Sequence, residues 1–205
     1  MSATCVILDI GGVLEITPDT GWVRRWDGRL GLPPGTVNER MRDVWQAGSV
    51  GSISEQDVQR QVAARLGLDG PRVEAFMSDL WDEYLGTPND ELIDYVRGLR
   101  GTCALGILSN SFVGARERET ERYHFDELVE QIVYSHEIGI EKPDPLAFEA
   151  ACATLDVLPE HCLFIDDVAV NVEAARSAGM HAHLFQDNAR TITRIAAHLD
   201  TARAR

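Results

Sequence analysis

The chain has 205 residues, 44% of them hydrophobic, enough for a large core in one domain or in one domain carrying an insert. Its formal net charge of −14 argues against nucleic acid and anionic membranes as partners, since both need clustered Lys and Arg. A small phosphorylated substrate stays compatible, because one metal ion and one or two local cations override the global field at short range.

No leader is expected: the apolar run after Met1 is short, lacks a basic start and contains Asp9. No apolar stretch is long enough for a membrane span. Cys5, Cys103, Cys152 and Cys162 form no C-x-x-C pair and lie in apolar contexts, which reads as reduced thiols in a cytoplasmic protein.

The first predicted element is Cys5-Val6-Ile7-Leu8, an apolar run that drives into Asp9 and is followed by Ile10-Gly11-Gly12. Such a run, bounded by Gly, reads as a fully buried strand of a parallel sheet. Glu15 to Thr20 reads as a loop. From Gly21 to about Leu85 the spacing predicts four short amphipathic helices and no strand. Trp22, Val23, Trp26 and Leu30 mark one face, and Val37, Met41, Val44 and Trp45 the next. Val58, Val62 and Leu66 follow Ser54 as N-cap, and Val73, Phe76, Met77, Leu80, Trp81 and Tyr84 mark the last. Four in succession predict a helical bundle.

An α/β rhythm returns at Pro88. Helix 91–99 precedes the strand Cys103–Leu108, which ends in Ser109-Asn110-Ser111. A polar helix, 115–123, leads to a strand at Ile132–Tyr134 and to the turn Glu141-Lys142-Pro143-Asp144-Pro145. Helix 146–155 leads to the strand Cys162–Ile165 and then Asp166-Asp167. Helix 170–178 stops at Gly179, strand 181–185 and helix 192–199 follow, and Thr201–Arg205 reads as a frayed tail. The alternation predicts an α/β fold: a Rossmann-like open parallel sheet with helices on both faces and an inserted four-helix cap. The expected division is a core of residues 1–16 and 87–205 and a cap of residues 17–86.

Ligands of such sheets gather at the carboxyl ends of the strands. Asp9, Ser109-Asn110, Lys142 and Asp166-Asp167 would therefore converge on one rim. Three carboxylates at close range cannot all ionise without a cation, and an oxygen-rich cluster of this kind suits Mg²⁺. Lys142 adds a compact charge and Ser109 a hydroxyl donor, the parts phosphoryl transfer asks for. Residue by residue, blander roles stay open. Asp9 could merely end a strand, Ser109 could cap a helix, Lys142 could be a solvated turn residue, and the Asp pair could be a capping cluster.

Taken jointly, VILDIGGVL, GILSNS, EKPDP and LFIDDVAVN resemble, in order, the four motifs of the haloacid dehalogenase superfamily of aspartyl-phosphate phosphatases. LSNS, GIEKPDPLAFEAA and FIDDVAVNVEAARSAGM are most similar to bacterial sugar-1-phosphate phosphatases and to the N-terminal phosphatase domain of soluble epoxide hydrolases. The resemblance implies Asp9 as nucleophile, and Asp9, the Gly11 carbonyl and Asp167 as Mg²⁺ ligands, with Asp166 orienting a metal-bound water. It implies Ser109 and Lys142 on the transferring phosphoryl group, with Gly12, Asn110 and Asn171 as further substrate-side residues. The implied partner is a small phosphorylated metabolite, and the protein a monomer or homodimer. In one place the sequence departs from the pattern: Gly11 stands where relatives carry a second Asp that protonates the leaving group. That leaves two rival expectations, a weak or silent metal-binding relative and a 2-haloacid dehalogenase. The intact Asp166-Asp167 pair argues against the second.

Overall fold

A computed structural model describes residues 4–203. β1 (Cys5–Leu8) is the centre of a five-stranded, all-parallel sheet. A two-residue strand β2 (Glu15–Ile16) leads into four helices, α1 (Trp22–Arg29), α2 (Thr36–Ser49), α3 (Glu55–Leu66) and α4 (Gly70–Leu85). β3 (Thr87–Pro88), α5 (Asp90–Arg97), β4 (Ala104–Ser109), α6 (Ala115–Tyr123) and α7 (Phe125–Leu128) follow. Then come β5 (Gln131–Tyr134), α8 (Ser135–Ile138), α9 (Pro145–Thr154), β6 (Cys162–Asp166), α10 (Ala169–Ser177), β7 (His181–Leu184) and α11 (Asn188–Arg203).

The strand order is β5-β4-β1-β6-β7. β1 lies between β4 and β6, with Cys5 level with both Ala104 and Cys162. Both faces are buried, so alternate residues feed two separate cores. Val6, Leu8, Leu105, Ile107, Leu163 and Ile165 pack with Leu92, Ile93 and Val96 of α5 and Ile195 and Leu199 of α11. Cys5, Ile7, Cys162 and Phe164 point the other way, onto Ala147, Phe148 and Ala151 of α9 and Val172 and Ala175 of α10. This is why the strands read as continuous apolar runs and show no alternation.

The bundle α1–α4 has its own core. Trp22, Trp26, Met41, Val58, Val62 and Phe76 are buried together, with Phe76 edge-on to Trp22 and Trp26 at 5.0 and 5.1 Å. Burial of a side chain such as Phe76 contributes about 1.5–3 kcal/mol. At Ser54 the capping expectation holds: its hydroxyl accepts from the Asp57 N–H, and the Asp57 carboxylate accepts from the Ser54 N–H. The bundle seats on the core through Phe112 and Val113, through Arg118, which pairs with Glu55 at 2.7 Å and lies over the Trp81 ring at 4.0 Å, and through Ser135, which donates to the Ser49 carbonyl at 2.8 Å.

Two sequence expectations are corrected. Glu15 to Thr20 is not simply a loop: β2 pairs antiparallel with β3, Glu15 opposite Pro88 and Ile16 opposite Thr87, so the entry and exit of the bundle form a ribbon. Two residues carry no readable period. The frayed tail expected from Thr201 does not begin there. Thr201 to Arg203 continue α11, whose threonines return hydroxyl bonds one turn back, while Ala204 and Arg205 lie outside the described residues, as do Met1 to Ala3.

Candidate active site

Three strand ends and one loop meet at the carboxyl edge of the sheet. Asp9 leaves β1 with its N–H on the Ile165 carbonyl at 2.9 Å, so β6 carries it one residue beyond the strand. Its Oδ1 accepts from the Ile10 N–H at 2.8 Å and lies 2.8 Å from the Lys142 ammonium. Lys142 is fully buried and also lies 2.7 Å from Asp166 Oδ2, so one cation is shared by two carboxylates. Asp9, Asp166 and Asp167 present oxygens that all lie within 4.8 Å of one another.

Burial pushes the Asp9 carboxyl up to about 7, against the pull of Lys142 and with a further push from Asp166. Asp167 is exposed, and partial desolvation and then Asp166 raise its carboxyl above the usual range. The arrangement thus holds excess negative charge. Hard oxygen donors in such a set fit Mg²⁺. Gly12 completes the fit. A Cβ there would stand 2.3 Å from Asp167 Oδ2, and its φ of +74° is open to glycine. The Asp167 carboxylate lies directly over the Gly12 backbone.

Asp166 has both oxygens engaged. Oδ1 accepts from the Val168 N–H at 2.7 Å, Oδ2 from Lys142, and the Asn171 amide reaches both at 3.2 and 3.1 Å. Asn171, expected among the further site residues, turns its amide nitrogen to Asp166. Asn110 is similar. Its side chain exchanges two 2.8 Å bonds with the Lys142 backbone, donating to the carbonyl and accepting from the N–H. It fixes the loop that aims Lys142. Ser109, the last residue of β4, is buried, with its hydroxyl facing the Asn110 carbonyl at 3.4 Å.

A cleft of about 690 Å³ opens between bundle and core, lined by Trp22, Arg42, Trp45, Tyr84, Asn110 and Ser111 among others. Trp22 of α1 and Trp45 of α2, which the sequence marks only as helix-face residues, both face it. Arg24 pairs with Asp19, and Arg25 bonds the Thr20 carbonyl and pairs with Asp79. Arg42 lines it without having been anticipated.

A smaller cavity of about 190 Å³ lies beside Gly11 and Ser109, with Glu15, Thr17, Tyr84 and Glu119 in its wall. Sequence reasoning missed Glu119 entirely. It is 1% exposed, and the Tyr134 hydroxyl donates to its Oε2 at 2.5 Å. The Tyr84 side chain shares the cavity wall with the same carboxyl. Burial pushes Glu119 up to about 7 despite both tyrosines, and Glu15, also 1% exposed, up to about 7 despite Thr17.

Comparison with known proteins bears directly on this geometry. A family model described as haloacid dehalogenase-like hydrolase matches residues 4–179. The chain belongs to the haloacid dehalogenase-like hydrolase family. Within that family, it is 40% identical over 98 residues to phosphatase MT3486 of Mycobacterium tuberculosis, a match covering 46% of this chain and 42% of that protein. It is 27% identical to the N-acetylmuramic acid 6-phosphate phosphatase of Pseudomonas aeruginosa, over 87% of this chain and 80% of that one. The chain thus matches less than half the length of the mycobacterial protein and most of the other. A solved family member from Bacteroides thetaiotaomicron, in complex with magnesium and inorganic phosphate, shares the fold with a TM-score of 0.76 at 19% identity, over 90% of this chain and 94% of that one.

Proposed function

We propose that this hydrolase is a Mg²⁺-dependent phosphatase that cleaves a small, sugar-phosphate-like metabolite through an aspartyl-phosphate on Asp9. The observation that carries the reading is Asp9 itself. It is a buried carboxylate at a strand end, ion-paired to a buried lysine and grouped with two further carboxylates. The phosphatases among its relatives, and the magnesium and phosphate in the Bacteroides neighbour, support it.

Asp9, the Gly11 carbonyl and Asp167 would hold Mg²⁺, with Asp166 behind them. The ion would supply positive charge for the phosphoryl oxygens and for the Asp9 carboxylate. Lys142 favours the ionised form of Asp9 against its burial and faces the same oxygens; Asp166 and Asn110 fix Lys142. Ser109 donates to the phosphoryl group. Asp9 bonds to phosphorus as the bond to the leaving oxygen breaks. Water then attacks that phosphorus and releases phosphate, and Asp9 is restored. Residues 17–86 act as a cap whose cleft, with Trp22, Arg42 and Trp45, receives the organic portion. The dehalogenase alternative has no use for a three-carboxylate cluster.

Hydrolysis of p-nitrophenyl phosphate with and without Mg²⁺ tests the reading, with Asp9→Asn as its partner. Metal-dependent turnover that Asp9→Asn lowers by several orders of magnitude, with its fold intact, is expected. No turnover in the wild type, or a folded Asp9→Asn of near wild-type rate, refutes it. Chloride release from a 2-haloacid would replace it with the dehalogenase reading.

A further inference from the structure

Departure of an alkoxide from phosphorus needs a proton, and among the described residues those packed against Asp9 are otherwise engaged. Gly11 and Gly12 have no side chains. Lys142 is shared between Asp9 and Asp166, and both Asp166 oxygens are engaged. Asp167 belongs to the proposed metal cluster.

The cavity behind Gly11 and Ser109 is where proton-bearing groups collect. Tyr84, Glu119 and Glu15 lie in its wall. Tyr84 also lines the wide cleft, so it stands at the junction of the two spaces. Two elements, α6 and β5, bring Glu119 and Tyr134 into a hydrogen bond, and α4 brings Tyr84 into the same cavity wall as Glu119. The charged groups around Glu119 include Glu15 and Asp9, which favour its protonated form, and Arg116, which opposes it and is itself paired to Glu137. Glu15 is the rival group. Its Oε2 accepts from the Thr17 hydroxyl at 2.7 Å, and its Oε1 packs over Gly86 in the ribbon, away from the wide cleft.

Resting on the phosphatase reading, we propose that Tyr84 is the group that protonates the leaving oxygen, with Glu119 resupplying Tyr84 and Tyr134 holding Glu119 in place. As the bond to phosphorus breaks, the leaving oxygen takes the Tyr84 hydroxyl proton and Tyr84 takes the proton of the Glu119 acid. Glu119 is left as a carboxylate accepting from both tyrosines, whose phenol hydroxyls can both donate and accept. In the second half, the water that attacks the aspartyl-phosphate loses a proton, which returns through Tyr84 to Glu119. Tyr84 is then a catalytic residue and Glu119 and Tyr134 positioning residues. A cap residue thereby completes the core's chemistry.

The test is a series of phosphate monoesters of graded leaving-group acidity, run with Mg²⁺ on wild type, Glu119→Gln and Tyr84→Phe, each checked for fold by thermal melting. Both variants should lose about 10²-fold in kcat on alkyl esters. The loss on p-nitrophenyl phosphate should be much smaller, so the dependence on leaving-group acidity steepens. An equal loss across the series, no loss in a folded Tyr84→Phe, or the steepening in Glu15→Gln alone overturns the relay and leaves the phosphatase reading standing. Absence of Mg²⁺-dependent turnover in the wild type overturns both. If Glu119→Gln fails to fold, Tyr84→Phe decides alone.

Discussion

Gly11 and Gly12 are neighbours, yet substitution meets opposite conditions at each. At Gly12 a Cβ would overlap the Asp167 carboxylate, and the positive φ adds strain of about 1–3 kcal/mol. Gly12→Ala should therefore weaken Mg²⁺ binding at least about tenfold, a shift of roughly 1.4 kcal/mol, read from the concentration of Mg²⁺ that half-restores activity. At Gly11 the nearest atom to an added Cβ is Thr17 Oγ1 at 3.9 Å, and φ lies outside the left-handed region. Gly11→Asp is thus accommodated. Its carboxyl should flatten the dependence of rate on leaving-group acidity in the Tyr84→Phe protein, where that dependence is steep, in the ester series described above. An unchanged slope there would mean that the Gly11→Asp carboxyl does not reach the leaving oxygen. Asp167→Ala removes one of three crowded carboxylates. The expected outcome is loss of Mg²⁺-dependent turnover together with an unchanged or higher melting temperature of the metal-free protein. An unchanged Mg²⁺ requirement would take Asp167 out of the metal's reach.

The bundle also meets α8 tightly at Gly51, just past the end of α2. A Cβ there would lie 1.8 Å from the His136 carbonyl oxygen, at a φ of +65°. Gly51→Ala should push the bundle off the core and cost about 1–3 kcal/mol, with a rise in KM larger than any fall in kcat. Melting curves and steady-state kinetics check both. The elements that carry the site were legible because apolar runs ending in polar residues leave a plain mark: Ile7-Leu8 before Asp9, Ile107-Leu108 before Ser109, Phe164-Ile165 before Asp166. The bundle was legible from its apolar spacing. Glu119 was not. Its helix reads Ala-Arg-Glu-Arg-Glu-Thr-Glu-Arg-Tyr, and nothing local distinguishes the one buried acid from its solvated neighbours. Asn110 and Asn171 were found by position, but their partners depend on which loops the sheet brings together, and a linear chain does not display that.

Across the whole molecule, the buried acids set the response to pH. Glu15 and Glu119 keep their protons in the fold up to about 7, whereas an unfolded chain releases them near 4.5. Between those values the native state binds more protons than the unfolded one, so stability falls as pH rises. Each group can contribute on the order of 3 kcal/mol at most. Metal-free protein should melt higher at pH 5 than at pH 7.5, and Glu119→Gln should reduce that difference. A melting temperature that rises between those values would contradict the assignment.

The ribbon of β2 and β3 bears on how the chain finds this fold. Without it, β1 and β4 must meet across roughly a hundred intervening positions, and closure entropy grows with that span. A bundle that assembles first on its own local contacts brings Ile16 and Thr87 together and takes about seventy of those positions out of the search. What remains is a loop about a third as long, which lowers the entropic cost of the central strand pairing by on the order of 1 kcal/mol. The order of assembly would then run from the insertion outward, with the segment that interrupts the sheet in sequence serving as the staple that lets the sheet close.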